Sequence, residues 1–133
     1  MAAMATEISE DEWRAQCART KTAVEELLKG RQSREALAEA LREPPYGAPD
    51  ELKDQAAKTV LYAMSAFREA EIKEATAFLN EDAQNVLMKY LYKFWGQGLP
   101  ARTNAQLFVW HAALVEKAGT GSIVRVLYDW NRP

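Results

Sequence analysis

The chain has one cysteine and one histidine in 133 residues. A lone cysteine closes no internal disulfide, and a lone histidine leaves any histidine-based triad or zinc site to be built around a single ring. Neither sign of charge dominates: 17 Lys and Arg stand against 19 Asp and Glu, a formal net charge of -2 with a pI near 5.5. A general nucleic-acid binder presents a basic face that neutralises phosphates, so no nucleic-acid partner is expected. No apolar run approaches the roughly 20 residues of a membrane-spanning helix, and no basic start leads into an apolar stretch near the N-terminus. A soluble protein of a reducing, cytoplasmic compartment is expected. GxGxxG, HExxH and paired CxxC motifs are all missing, so neither an enzyme activity nor a cofactor or metal is expected.

What is present is an ordinary globular composition, 48% hydrophobic and 27% charged. A chain of this length fits one domain that buries roughly two-thirds of the surface exposed when unfolded. The expected division is a short tail over residues 1–8 and a single helical domain over 9–133. No apolar/polar alternation is long enough for a strand, and apolar residues recur at helical spacing between Gly and Pro punctuation. The class read from this pattern is all-α, with about seven helices. The helix pairs carry no repeated signature, so any α-α superhelix is irregular.

The first helix is announced by Ser9 with Glu12 three residues on, a capping-box spacing, and Gly30 stops it. A second runs from about Ser33 and ends before Pro44-Pro45. Asp50 is the expected N-cap of the third, with Leu52, Ala56, Val60, Met64 and Phe67 inward. Beyond Phe67 the register shifts to Ile72, Ala75, Phe78 and Leu79, which leaves two helices at a corner or one bent helix. Asn80 to Asp82 restarts the chain into the fifth helix, which ends at "GQGLP". Thr103 is the expected cap of the sixth. Gly119 suits the position after its end, and Thr120, Gly121 and Ser122 form the link to the last helix.

Three features invite a chemical reading. His111 lies mid-way across the apolar arc of the sixth helix and is expected to be packed and hydrogen-bonded, since a general base needs access to substrate. Cys17 shares a face with Trp13 and Val24, which makes it a small buried residue, not an electropositive exposed thiolate. "KAGTGS" places its lysine ahead of the glycines, whereas a phosphate loop needs it directly after them. That stretch reads as a helix stop followed by a helix start.

The fifth helix is unusually apolar. In "VLMKYLYKFW", Val86 to Trp95, apolar side chains cover about 240° of the circumference, and Lys89 and Lys93 share the remaining gap. A helix facing one core needs little more than about 100°. In the last helix Ile123, Val124, Val126, Leu127 and Trp130 belong to an arc of roughly 200°, with Arg125 and Asp129 outward at i, i+4. Two such helices are hard to cover in so short a chain. A partner is therefore expected on at least one flank, at Met88, Tyr92 or Trp95 of the fifth helix and Ser122, Arg125 or Tyr128 of the last.

"LMKYLYK" at Leu87 to Lys93, Trp110-His111 and "GSIVRVL" at Gly121 to Leu127 resemble the smallest subunit, subunit five, of the actin-related protein 2/3 complex. "ALREPP" at Ala40 to Pro45 and "LKDQA" at Leu52 to Ala56 fall at matching places, so the similarity spans about Arg34 to Leu127. The resemblance implies a compact helical superhelix without catalysis, in an assembly that nucleates branched actin filaments. It implies packing on scaffold subunit four and propeller subunit one, and an N-terminal arm that helps hold actin-related protein 2. Two departures stand out: only eight residues precede the Ser9 cap, and the chain closes on Tyr128-Asp129-Trp130-Asn131-Arg132-Pro133 where the family usually carries small and basic residues. The alternative of a different class is a free-standing adaptor that holds a peptide or partner helix in a groove beside Tyr90 and Trp95.

Overall fold

The computed structural model describes residues 8–129 and 131–133. Among them it contains seven α-helices and one 3-10 turn, and no strand. The helices are α1 (Glu10–Lys29), α2 (Ser33–Arg42), α3 (Asp50–Met64), α4 (Ile72–Phe78), α5 (Glu81–Trp95), α6 (Ala101–Ala118) and α7 (Gly121–Tyr128). The expected tail over residues 1–8 falls, except for Ile8, outside the described residues.

Helix starts follow two local rules. Ser9 and Asn80 cap α1 and α5 through their side chains, which accept the backbone N–H of Glu12 and Ala83 at 3.2 and 2.8 Å. α3 and α6 instead begin directly after Pro49 and Pro100, whose extended backbones (ψ 150° and 149°) lead into the first turn. Asp50 and Thr103 are therefore not caps: Asp50 is the first residue of α3, and Thr103 lies inside α6. Proline offers no side-chain acceptor, and its backbone carbonyl serves the first turn instead: Pro49 accepts from the Leu52 and Lys53 N–H groups and Pro100 from Asn104, each at 3.0 Å.

The corner after α3 resolves into two helices. Ser65 ends α3, Arg68 is extended, and the 3-10 turn Glu69–Glu71 leads into α4. The Glu71 carboxylate accepts from the Arg68 backbone N–H at 2.8 Å and from its Nε at 3.3 Å, and these bonds hold the Glu71 carboxyl below its ordinary pKa. Phe67 anchors the corner by meeting the Trp110 ring edge-on, with centroids 5.4 Å apart.

Between α6 and α7, Gly119 has φ +81° and ψ 166°, a region open essentially to glycine alone. An added Cβ there meets nothing within 4 Å, so the obstacle to a side chain is conformation and not space. Gly119→Ala is expected to lower stability by about 1–3 kcal/mol in chemical denaturation, and an unchanged midpoint would contradict this. The link is shorter than expected, since α7 begins at Gly121. Ser122 lies in its first turn, 2% exposed, with its hydroxyl donating to the Gly119 carbonyl at 2.7 Å.

The helices α1, α2 and α3 pack on one another, α4 packs on α6, and α5 lies against α2, α6 and α7. Along α5, Leu87, Tyr90 and Leu91 are fully buried, with Met88 and Phe94 at 1% exposure. The wide apolar arc of α5 is thus largely covered by the chain's own helices. Each such side chain contributes on the order of 1.5–3 kcal/mol through burial.

Candidate docking surface

The lysine gap of α5 is covered from within. Lys89 is only 6% exposed, and its ammonium donates to Tyr46 Oη at 2.8 Å and to Asp129 Oδ2 at 2.5 Å. It also lies 4.5 Å from the centroid of the Tyr46 ring. One turn on, Lys93 donates to the Pro133 backbone oxygen at 3.1 Å and pairs with Asp54 of α3 at 3.5 Å. Arg132 closes the arrangement by donating to the Val126 and Leu127 carbonyls at 2.7 and 3.4 Å, which caps the C-terminal end of α7 with a cation. Asp129 leaves α7 in an extended conformation and accepts the Asn131 N–H at 2.9 Å, a local turn that sends the chain back over α5.

Asp129, expected outward at i, i+4 from Arg125, is instead drawn to the Lys89 ammonium. A buried ammonium needs its donors satisfied, and Asp129 and Tyr46 satisfy two of them.

The charges respond to this geometry. Burial pulls the Lys89 pKa down, but the hydrogen bonds from its ammonium to Asp129 and Tyr46 outweigh that and hold it above its ordinary 10.5. The Lys89 hydrogen bond, then the Asn131 N–H, hold the Asp129 carboxyl below its ordinary 3.8. A depressed acid stabilises the fold above its unfolded pKa and loses that contribution as pH falls through the folded value. A raised base loses its contribution as pH climbs through its folded value. The pair therefore supports the fold from about pH 4 to about pH 10.5. Asp129→Asn is expected to lower the urea midpoint by a steady amount across neutral pH, and the gap from the native chain should close in acid. A gap that widens on acidification would contradict the pairing.

What the fold leaves uncovered is the outer face of α7. Val124, Leu127 and Tyr128 are 55%, 58% and 81% exposed, while Val126 on the inner side is 3% exposed. Positions 124, 127 and 128 are i, i+3 and i+4, so the three side chains form one apolar strip. Arg125 is exposed beside them and has no ion-pair partner among the described residues.

A second, smaller apolar flank joins α5 to α6. Tyr92 and Trp95 are half-buried, and Tyr92 Oη lies 3.3 Å from His111 Nε2. His111 is thus hydrogen-bonded and half-buried, and its ring centroid is 5.2 Å from that of Trp95. Phe108 stacks 5.0 Å from Trp95 and remains 61% exposed. Trp95 Nε1 is buried with no acceptor among the described residues.

Of the six residues expected to meet a partner, Tyr128 and Arg125 lie in or beside the α7 strip, and Tyr92 and Trp95 lie in the aromatic flank. Met88 and Ser122 do not reach the surface: they are 1% and 2% exposed and belong to the interior. Val124 and Leu127, members of the over-wide arc of the last helix, and Phe108 of α6 are exposed residues that were not among the six. A groove beside Tyr90 is not formed, because Tyr90 is fully buried and burial pushes its phenol pKa well up. Cys17 is half-buried with its Sγ 3.8 Å from the Leu52 carbonyl, and burial pushes its thiol pKa up, away from an activated thiolate.

No helix among the described residues is long and apolar enough to cross a membrane. Comparison with known proteins places the chain in a family. Residues 2–132 match the family described as the ARP2/3 complex 16 kDa subunit, p16-Arc. The "Probable actin-related protein 2/3 complex subunit 5" of Caenorhabditis elegans is 36% identical over 119 residues, covering 89% of this chain and 82% of the relative. The subunit 5 of Dictyostelium discoideum is 33% identical, covering 91% of this chain and 86% of the relative. Subunit 5-C of Xenopus laevis is 37% identical, covering 78% and 69%. By sequence match along nearly its whole length and by an all-helical fold, the chain belongs to the family of the ARP2/3 complex 16 kDa subunit.

Proposed function

We propose that this chain is a non-catalytic structural subunit of the ARP2/3 complex, held in the assembly through the outer face of α7. The observation that carries the reading is the strip Val124, Leu127 and Tyr128, three large side chains more than half exposed on a short helix whose other face is core. Such a strip is a poor solvent face and a good interface core, and the neighbouring Arg125 adds the cation most favoured at interfaces. Tyr92, Trp95 and Phe108 supply a second flank of the aromatic kind that dominates binding energy.

The partners are scaffold subunit four and propeller subunit one, in keeping with the family. The chain contributes equilibrium scaffolding: a preformed helical surface that stabilises an assembly able to bring two actin-related proteins side by side and nucleate a branched filament. No nucleotide or metal on this chain takes part. The N-terminal arm, whose hold on actin-related protein 2 belongs to the same reading, lies outside the described residues. The protein works in the cytoplasm, at the actin cytoskeleton.

Co-expression with subunits four and one from the same source tests this. A stable complex that carries the chain through size exclusion is the expected result. Recovery of the chain alone, as a well-behaved monomer, would contradict it and favour a free-standing adaptor.

A further inference from the structure

A groove of about 800 Å³ runs between α2 and α5, separate from the α7 strip. Its floor is apolar: Leu41, Leu79 and Val86 are 1%, 5% and 8% exposed. Its walls carry Glu35, Glu39, Asp82 and Asp129 against Arg42 and Lys89, with Arg34 at the rim over Phe78. Both wall cations are already engaged, Lys89 by Asp129 at 2.5 Å and Arg42 by Glu39 at 3.1 Å. Glu35 and Asp82 are left exposed on opposite walls, with no ion-pair partner among the described residues.

The two aromatic rings of the groove are already taken by the chain's own cations. Phe78, 45% exposed, carries the Arg34 guanidinium 5.1 Å from its ring centroid. At the other end the Tyr46 ring carries the Lys89 ammonium. Both ring faces have thus taken a cation, as expected where ring quadrupole and nearby carboxylates reinforce one another. Glu35 and Asp82 each lie in the first turn of a helix, where a carboxylate also suits the macrodipole. That accounts for each acid singly, but not for an apolar floor lying between them.

We propose that this groove seats a lysine- or arginine-bearing segment of another subunit, with an apolar anchor on the Leu41–Leu79–Val86 floor and its cations beside Glu35 and Asp82. That the segment comes from another subunit rests on the function proposed above; the charge and shape of the segment do not. Glu35 and Asp82 over an apolar floor select against anionic segments and give binding that weakens with salt.

The test uses the full chain and two synthetic, fluorescein-labelled amphipathic peptides, one of lysine and leucine, the other of glutamate and leucine. Anisotropy titration is expected to show saturable binding of the lysine peptide only. The double variant Glu35→Gln with Asp82→Asn, which keeps the shape and both helix starts, should weaken that binding roughly fivefold to tenfold. Val124→Gln with Leu127→Gln, on the α7 strip, should leave it unchanged, so the groove and the α7 docking face fail separately. Equal binding by the Glu35→Gln/Asp82→Asn variant, equal binding of the glutamate peptide, or no saturation would overturn the proposal. So would a concentration-dependent dimer, lost in that variant, which would assign the groove to a second copy of the chain.

Discussion

Replacing Val124 and Leu127 together by glutamine is expected to remove the chain from its complex while leaving its own fold intact. Both side chains point away from the core, with 55% and 58% of their surface exposed, so the isolated chain has little packing to lose. Glutamine is at least as good a helix former as valine, and surface changes of this kind usually stay within about 0.5 kcal/mol. In the complex the balance differs. Each apolar side chain gives up the contribution of its remaining exposed half, and each amide must be desolvated against an apolar partner. A loss of about 2–4 kcal/mol follows, roughly 30-fold to several-hundred-fold in affinity. Circular dichroism melting checks the first half, and pull-down by tagged subunit four checks the second. A variant that melts normally and still co-purifies would show that the strip is not the docking face.

The second large effect lies in the core. Leu91 is fully buried on α5, where α2, α6 and α7 converge, and it belongs to the main apolar cluster. Leu91→Ala removes buried methyl groups and leaves a cavity that rigid neighbouring helices close only in part. The expected loss is about 2–5 kcal/mol, which for a domain of this size lowers the melting temperature by roughly 7–18 °C. Against a total stability of about 5–15 kcal/mol, the upper end approaches unfolding. Leu91→Met, which conserves volume, should cost less than about 1.5 kcal/mol. Similar losses for both substitutions would mean that the site is loosely packed and that α5 is not the central element.

The helices themselves were legible because they depend on local signals: Ser9 and Asn80 as caps, Gly119 as a stop, and apolar spacing through α2 and α5. Two starts were misplaced by one to three residues where Pro49 and Pro100, without any side-chain acceptor, hold the cap position. The corner at Arg68 could not be resolved from periodicity, because it rests on the Glu71 carboxylate reaching back three residues to a backbone N–H.

The excess apolar surface was harder to place. On α5 the wide arc meant a central helix, and the gap at Lys89 and Lys93 was closed by Tyr46, Asp129 and Pro133, each about 40 residues distant in sequence. No spacing rule encodes such pairings. On α7 the arc did leave side chains in solvent, because an eight-residue helix at the edge of the fold has neighbours on one side only. Met88 and Ser122 were misassigned for the same reason: helical phase shows which residues share a face, not which face the rest of the chain covers.

The most direct test of the docking claim is hydroxyl-radical footprinting of Tyr128 and Leu127 in the free chain and in the assembled ARP2/3 complex. Tyr128 is 81% exposed in the free chain and should be modified readily there. In the complex both residues should become strongly protected, while Tyr62, 57% exposed on α3 away from the strip, serves as the internal reference. Equal modification of Tyr128 and Leu127 in both states would contradict the account.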